Sequence, residues 1–258
     1  MNASICYFSG TGNSLTVAKK ISEYIINSEL LPIESLREDN IDIQTEIVGF
    51  VFPVYCVDVP DFIIEVISRL NIDKSQYIFA AVTCGGTPGN TLSTISKLLQ
   101  QKNKILNYGY EIFLGDNSIV YHTEAKELEN RIYQIDDICL RIAKNALLRE
   151  SSNITYQENY ETIKLKHTLH KLLSEDLQIQ NKTADSLICS SCELCIKVCP
   201  SNNIIKENNR IKWGENCLMC FSCLNLCPNA SIRFGKIAPT KDQQYKYPGI
   251  KLSELIRR

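Results

Sequence analysis

SICYFSGTGNS, residues Ser4 to Ser14, decides how the front of this chain folds. A short apolar run, Ser4 to Phe8, breaks into six small polar residues, and beyond them Leu15, Ala18, Ile21 and Ile25 recur at helical spacing. That order is strand, loop, amphipathic helix. The rhythm continues outward. A second short strand is expected near Leu30 to Ile33, a strand buried on both faces at Ile47 to Phe52, and its helix at Asp61 to Leu70. Tyr77 to Thr83 reads as a strand, CGGTPG as a glycine-rich loop, and Asn90 as N-cap of a helix carrying Leu92, Ile95 and Leu99. Tyr110 to Leu114 gives a fifth strand. One longer helix, capped by Thr123, is expected to place Leu128, Ile132, Ile135, Cys139 and Ile142 on one face. Such alternation predicts an α/β, doubly wound, five-stranded parallel sheet with right-handed crossovers.

The first loop has chemistry of its own. Ser9, Gly10, Thr11, Gly12, Asn13 and Ser14 lie where a strand ends and a helix begins. Amides at a helix N-terminus lack intrahelical partners, the dipole there favours an anion, and hydroxyls add donors without charge. The ligand this suits is a phosphate monoester. A nucleotide loop of the Walker type would need a GK[ST] ending, which is missing. FSGTGNS resembles the FMN phosphate loop of flavodoxins. That resemblance implies sheet order 2-1-3-4-5, with FMN at the switch point beside the loops after strands 3 and 4. Those loops are PVYCVDVP, from which Pro53, Val54, Tyr55 and Cys56 are candidates, and TCGGTPGN, from which Thr83, Cys84, Gly85, Gly86 and Asn90 are candidates. Tyr55 is the candidate aromatic contact to the flavin ring, with packing of its own loop as the alternative. Cys84, Gly85 and Gly86 would approach the ring edge through backbone groups.

The last third carries two copies of CxxCxxCxxxCP. They are Cys189, Cys192, Cys195 and Cys199 before Pro200, then Cys217, Cys220, Cys223 and Cys227 before Pro228. A structural zinc site takes four ligands as two pairs and leaves the third cysteine of each triplet and the Cys-Pro ending unexplained. Disulfides between residues so close in a tight turn rarely meet bridge geometry. Three thiolates spaced by two residues suit one face of a cubic cluster, and a fourth after a longer gap, turned away by proline, suits the other cluster. The repeat resembles a small α+β bacterial-type dicluster ferredoxin with two [4Fe-4S] clusters. In that resemblance Cys189, Cys192, Cys195 and Cys227 hold one cluster, and Cys217, Cys220, Cys223 and Cys199 the other. Glu193 departs from the pattern, standing where many ferredoxins carry glycine.

Charge and composition narrow the class. The 258 residues, 44% hydrophobic, suffice for two domains. Residues 1–180 carry a net charge of −7 and residues 181–258 of +6. Two clusters, each roughly −2 with its thiolates, would offset most of the basic excess. With no aromatic-interleaved basic run, nucleic acid is not an expected partner. MNASICYF lacks a basic start and a long apolar region, so no leader is expected, and Ile47 to Leu70 is too interrupted by Pro53, Asp58, Pro60, Asp61 and Glu65 to span a membrane. Oxygen-sensitive cluster ligands and free thiols place the expected compartment in a reducing cytoplasm, and the host among anaerobes or facultative organisms.

Front and rear together resemble the EFR1 family, in which a flavodoxin-like domain is fused to a dicluster ferredoxin. The closing YKYPGIKLSELI resembles that family's tail. The organisation implied is a flavodoxin-like FMN-binding domain at 1–150, a helical connector at 151–186, a ferredoxin domain at 187–235 and a C-terminal tail at 236–258. Clusters pass single electrons while a flavin takes one or two, so the leading expectation is an electron-transfer protein relaying single electrons between two [4Fe-4S] clusters and FMN, with a redox partner protein. The alternatives are an FMN-dependent reductase of a small acceptor, and a ferredoxin with a flavin-free flavodoxin-like docking module. No catalytic acid or base stands out.

Other residues are less telling. Cys6 and Cys139 read as small core residues, while Cys56 and Cys84 lie in the expected flavin loops, where packing competes with a redox role. His167 and His170 lack a third ligand and suit a solvated helix face. His122 and Tyr121 could reach a flavin. Trp213 reads as a packing residue that shields the second cluster.

Overall fold

The computed structural model describes residues 2–37, 41–152 and 156–257. Residues 1 and 38–40 of the expected first domain, 153–155 of the expected connector and 258 of the tail lie outside the described residues. The chain divides into two compact units: 1–9, 13–114 and 124–166 form the first, and 10–12, 115–123 and 167–258 the second. Residues 167–186, read from sequence as connector, thus belong to the second unit.

In the first unit, β1 (Ala3–Tyr7), α1 (Asn13–Tyr24), β2 (Ser28–Pro32), β3 (Ile47–Pro53), α2 (Asp61–Arg69), β4 (Tyr77–Cys84), α3 (Thr91–Gln100) and β5 (Tyr108–Phe113) alternate as the periodicity predicts. All pairings are parallel and the order is β2-β1-β3-β4-β5, the flavodoxin-like arrangement. The central strands are apolar on both faces because both are covered: β1 and β4 are buried throughout, as is β3 up to Phe52. One lateral row runs Leu30, Ile5, Gly49, Phe79, Tyr108. Gly49 is required there, because the Phe79 ring lies where its side chain would project, with ring carbons at 2.7 and 2.9 Å and the ring tip nearer still.

Three local expectations need correction. The single helix after Thr123 is two: α4 (Ala125–Tyr133) and α5 (Ile135–Leu147), parted at Gln134. None of α4 is buried; Arg131 holds it by donating to the carbonyls of Gly85 and Leu114, whereas α5 buries Ile135, Cys139, Ile142, Ala143 and Ala146. Thr123 is not the cap, since its hydroxyl accepts from the Asp116 N–H at 3.0 Å. Asn90 does occupy the position before α3, but its side chain instead pairs with the backbone of Asn159, accepting at 2.9 Å and donating at 3.3 Å.

Helix α6 (Tyr160–Lys171) leads into the second unit, whose elements are short: β6 (Lys182–Ala184), α7 (Leu194–Lys197), β7 (Ile204–Glu207), β8 (Arg210–Trp213), α8 (Ser222–Leu226) and β9 (Ile232–Phe234). β7 and β8 form an antiparallel hairpin turned by Asn208 and Asn209, both in the left-handed region, and β6 pairs with β9. Its core gathers Ile204, Phe221, Leu224, Ile232 and Phe234 around Cys199, Cys223 and Cys227.

Candidate functional site

The two cysteine motifs fold as structural copies. Ser191 and Glu193 in the first, and Met219 and Phe221 in the second, take left-handed backbone at the same offsets from the leading cysteine; Asn202 and Ala230 repeat the match further on. These turns curl each triplet inward and start α7 and α8. Glu193, the departure from glycine, adopts φ 62°, and Lys206 donates to its carboxylate at 2.9 Å, holding that group below its ordinary pKa. Glycine takes this backbone without strain, whereas a glutamate there is held at a cost.

The eight thiols segregate into two cavities, four in each. Cys189, Cys192, Cys195 and Cys227 line the first, with about 340 Å3 of space clear of protein atoms, part of it open to solvent. Cys199, Cys217, Cys220 and Cys223 line the second, of about 300 Å3 measured likewise. The last cysteine of each motif therefore sits in the other motif's cavity. Among the described residues no three His, Cys, Asp or Glu side chains converge on a point as they would for one metal ion. A cubic cluster needs no such convergence, because its thiolates bind separate corners.

The donors around the sulfurs also repeat. Asn203 N–H donates to Cys199 Sγ and Ser231 N–H to Cys227 Sγ, both at 3.3 Å. Hydroxyls of Ser201 and Ser231 lie 3.7 and 3.2 Å from the sulfurs of Cys199 and Cys227. Burial pushes the Cys195 thiol up to about 12, the Cys220 thiol up to about 11, and that of Cys223 well above its ordinary value. Near neutral pH such thiols stay protonated unless a cation neutralises the thiolate, as metal ligation does. Four thiols, sulfur-directed donors and low polarity fit a [4Fe-4S] cluster in each cavity. They differ in exposure: Cys192 is exposed and Cys189 and Cys195 are half-buried, whereas Cys199, Cys220 and Cys223 are buried.

In the first unit, the loops after β3 and β4 dock on one another. The Tyr55 and Asp58 backbones bridge reciprocally at 2.9 Å across a turn whose centre, Cys56 and Val57, is left-handed at φ 46° and 58°. A β-branched residue there is strained, and strain of this kind gathers at functional loops. Buried Asp58 holds the turn, accepting from Val59 N–H (2.8 Å), Thr94 Oγ1 (2.6 Å) and Lys166 Nζ (2.9 Å). Asn90 N–H donates to the Val57 carbonyl at 2.9 Å, and Gly89 (φ 62°) allows the approach, since an added methyl would stand 2.6 Å from Val57 Cβ. Val54 N–H joins the Thr83 carbonyl at 2.9 Å beyond Pro53, where β3 ends. The structure thus draws Pro53 to Cys56 and Thr83 to Asn90 together at the carboxyl edge of the sheet. Gly86 faces open space, Cys84 is buried, and Gly85 gives its carbonyl to Arg131. Cys6 and Cys139 are buried core thiols, both pushed up to about 12 chiefly by burial.

The SGTGNS loop has two sides. Ser9 and Ser14 are buried, Ser14 Oγ pairs with Thr83 Oγ1 at 2.7 Å, and Asn13 opens α1, whose first turn holds no acid. Hydroxyls, a helix start and no carboxylate suit a phosphate. Gly10 to Gly12, however, pack within the second unit: Ser222 Oγ donates to the Gly10 carbonyl at 2.8 Å, Tyr247 N–H to the Thr11 carbonyl at 2.9 Å, and Asn117 Nδ2 to Thr11 Oγ1 at 3.2 Å. The Cα face of Gly10 meets the Cys220 carbonyl, and that of Gly12 (φ 107°) lies under Ile250. No local signal in the sequence announced these contacts. Nor did any announce Asp58 and Arg131 as the groups that fix the two loops.

Residues 181–228 match the family of the 4Fe-4S dicluster domain. No curated protein matches the chain. Solved structures similar to it include a putative flavoprotein from Bacteroides eggerthii (15% identity, 52% of this chain and 97% of that one, TM-score 0.35). Others are a flavoprotein in complex with FMN from Lactobacillus acidophilus (15%, 43% and 92%, 0.33) and a flavodoxin from the domain Archaea (13%, 56% and 99%, 0.33). Among the described residues no helix is long and apolar enough to cross a membrane. The chain therefore joins a sheet of flavodoxin-like order to a ferredoxin-like iron–sulfur domain, a combination that points to electron transfer.

Proposed function

We propose that this protein is an electron carrier holding two [4Fe-4S] clusters and one FMN, which relays single electrons between clusters and flavin and exchanges them with a redox partner protein. The observation that carries the reading is the crossed sharing of eight cysteines between two cavities. Clusters so held accept and release one electron each without bond breakage, and a flavin, when bound, stores one or two. The chain's own part is to hold and insulate. Cys189, Cys192, Cys195 and Cys227 anchor one cluster; Cys217, Cys220, Cys223 and Cys199 anchor the other. Ser9 to Ser14 offer hydroxyls and amides to the flavin phosphate, and Pro53 to Cys56 with Thr83 to Gly86 and Asn90 border the ring. The likeness to the EFR1 family belongs to the same proposal.

Anaerobically purified protein is expected to hold about eight iron, about eight sulfide and about one FMN per chain. In Cys227→Ser the cluster of the first motif is expected to be the one damaged, and in Cys199→Ser that of the second. Damage confined to the motif in which the substitution lies would refute the crossed arrangement. A second reading, a flavin-free docking module, is favoured by the packing of Gly10 and Gly12 against Cys220, Tyr247 and Ile250. Full iron with no flavin, and no uptake of added FMN, would establish that reading instead.

A further inference from the structure

Two cavities built as copies need not hold clusters of equal potential, and one side chain breaks the equality. Trp213 ends β8 and lines the second cavity. Its indole N–H is buried, makes no hydrogen bond of ordinary geometry among the described residues, and stands within reach of the Cys223 side chain. It is held firmly. Trp213 pairs with Ile204 across the hairpin, and the Asn203 amide donates to the Gly214 carbonyl at 3.1 Å while its oxygen accepts from Asn216 N–H at 2.8 Å.

Among the described residues no ring N–H lines the first cavity. Its one lining side-chain amide, Asn229, donates to the Ile188 carbonyl at 2.8 Å, and Glu193 is among its lining residues. One serine hydroxyl and one backbone N–H stand by sulfur in each cavity, Ser201 Oγ (3.7 Å) and Asn203 N–H at Cys199, Ser231 Oγ (3.2 Å) and Ser231 N–H at Cys227, so they cancel in a comparison. The indole does not cancel. An N–H aimed at cluster sulfur stabilises the reduced form more than the oxidised one, because the added electron raises negative charge on the acceptor.

We propose that Trp213 donates its indole N–H to the sulfur shell of the cluster bound in the second cavity and raises that cluster's reduction potential relative to its twin. Reduction adds one electron from a low-potential donor and breaks no bond, so the indole acts only by stabilising the charge. The inference rests on the two-cluster reading above.

The test is an anaerobic redox titration of the holoprotein followed by electron paramagnetic resonance, in wild type, Trp213→Phe and Trp213→His, each with iron counted first. In the phenylalanine variant one potential is expected to fall by about tenfold in the reduction equilibrium, 59 mV for one electron, while the other holds. Histidine, which keeps a ring N–H, is expected to restore part of the shift. An exchangeable proton coupled to the affected cluster in wild type should vanish with phenylalanine. Unchanged potentials, a joint shift of both, or loss of the second cluster's iron in both variants would overturn the proposal. Wild type with about four iron instead refutes the two-cluster reading itself.

Discussion

Replacing Gly49 by alanine tests whether the central row of the sheet is packed as tightly as it looks. Two Phe79 ring carbons lie 2.7 and 2.9 Å from where the methyl would sit, and Phe79 is fully buried. Carbon atoms rest at about 3.5 Å, so the ring must retreat by at least about 0.8 Å in an interior with little slack. Overpacking of this kind costs about 1–3 kcal/mol, and three close ring carbons place it near the upper end. Alanine returns about 0.4–1 kcal/mol by restricting the unfolded chain. A net loss of about 2 kcal/mol remains, or about 4–8 °C in melting temperature for a unit of this size. Urea unfolding by far-ultraviolet circular dichroism would measure it, with fluorescence of Trp213, which lies in the second unit, as an internal control. In a Phe79→Leu background the alanine penalty should drop below about 0.5 kcal/mol, because the ring tip is gone. An equal penalty in both backgrounds, or an equal shift of the Trp213 transition, would refute the steric account.

Two further outcomes are expected. Gly235→Ala adds a methyl 2.5 Å from the Gln178 carbonyl carbon at φ 55°, where backbone cannot swing aside; it should cost more than Gly49→Ala, at least about 3 kcal/mol, and speed cluster bleaching by a chelator. For Cys6, burial, assisted by Glu29, lifts the folded thiol from an ordinary 9.0 to about 12. The unfolded thiol sheds its proton first, so stability is intact below about pH 9 and falls between about pH 9 and 12, by up to about 1.4 kcal/mol per pH unit; Cys6→Ala should flatten that slope in alkaline urea melts.

The sheet was legible because strands buried on both faces must be continuously apolar, as Ile47 to Phe52 and Tyr77 to Thr83 are. That Cys199 and Cys227 each line the cavity of the other motif was legible for a different reason: proline after a longer gap turns the chain away. Capping was not. Asn90 and Thr123 have the right chemistry, yet Asn159 and Asp116 claim their side chains, the first from far along the chain and the second from the preceding loop, and capping rules weigh neither. The strands of the second unit are too short and too charged for periodicity, although Asn208 and Asn209 between IIKE and RIKW mark a hairpin turn. The packing of Gly10 and Gly12 depends on residues more than two hundred positions away, beyond the reach of any window.

The exchange of Cys199 and Cys227 between the cavities would make two centres held there nested rings. The stretch from Cys195 to Cys227 that closes the outer ring contains every ligand of the inner one, which the shorter path from Cys199 to Cys217 closes. Shorter loops surrender less chain entropy on closure, and a closed inner ring shortens the free path of the outer. In the two-cluster reading, assembly therefore runs from the inside out and dismantling from the outside in. In that reading no cut between the motifs leaves either half with all four ligands of one centre.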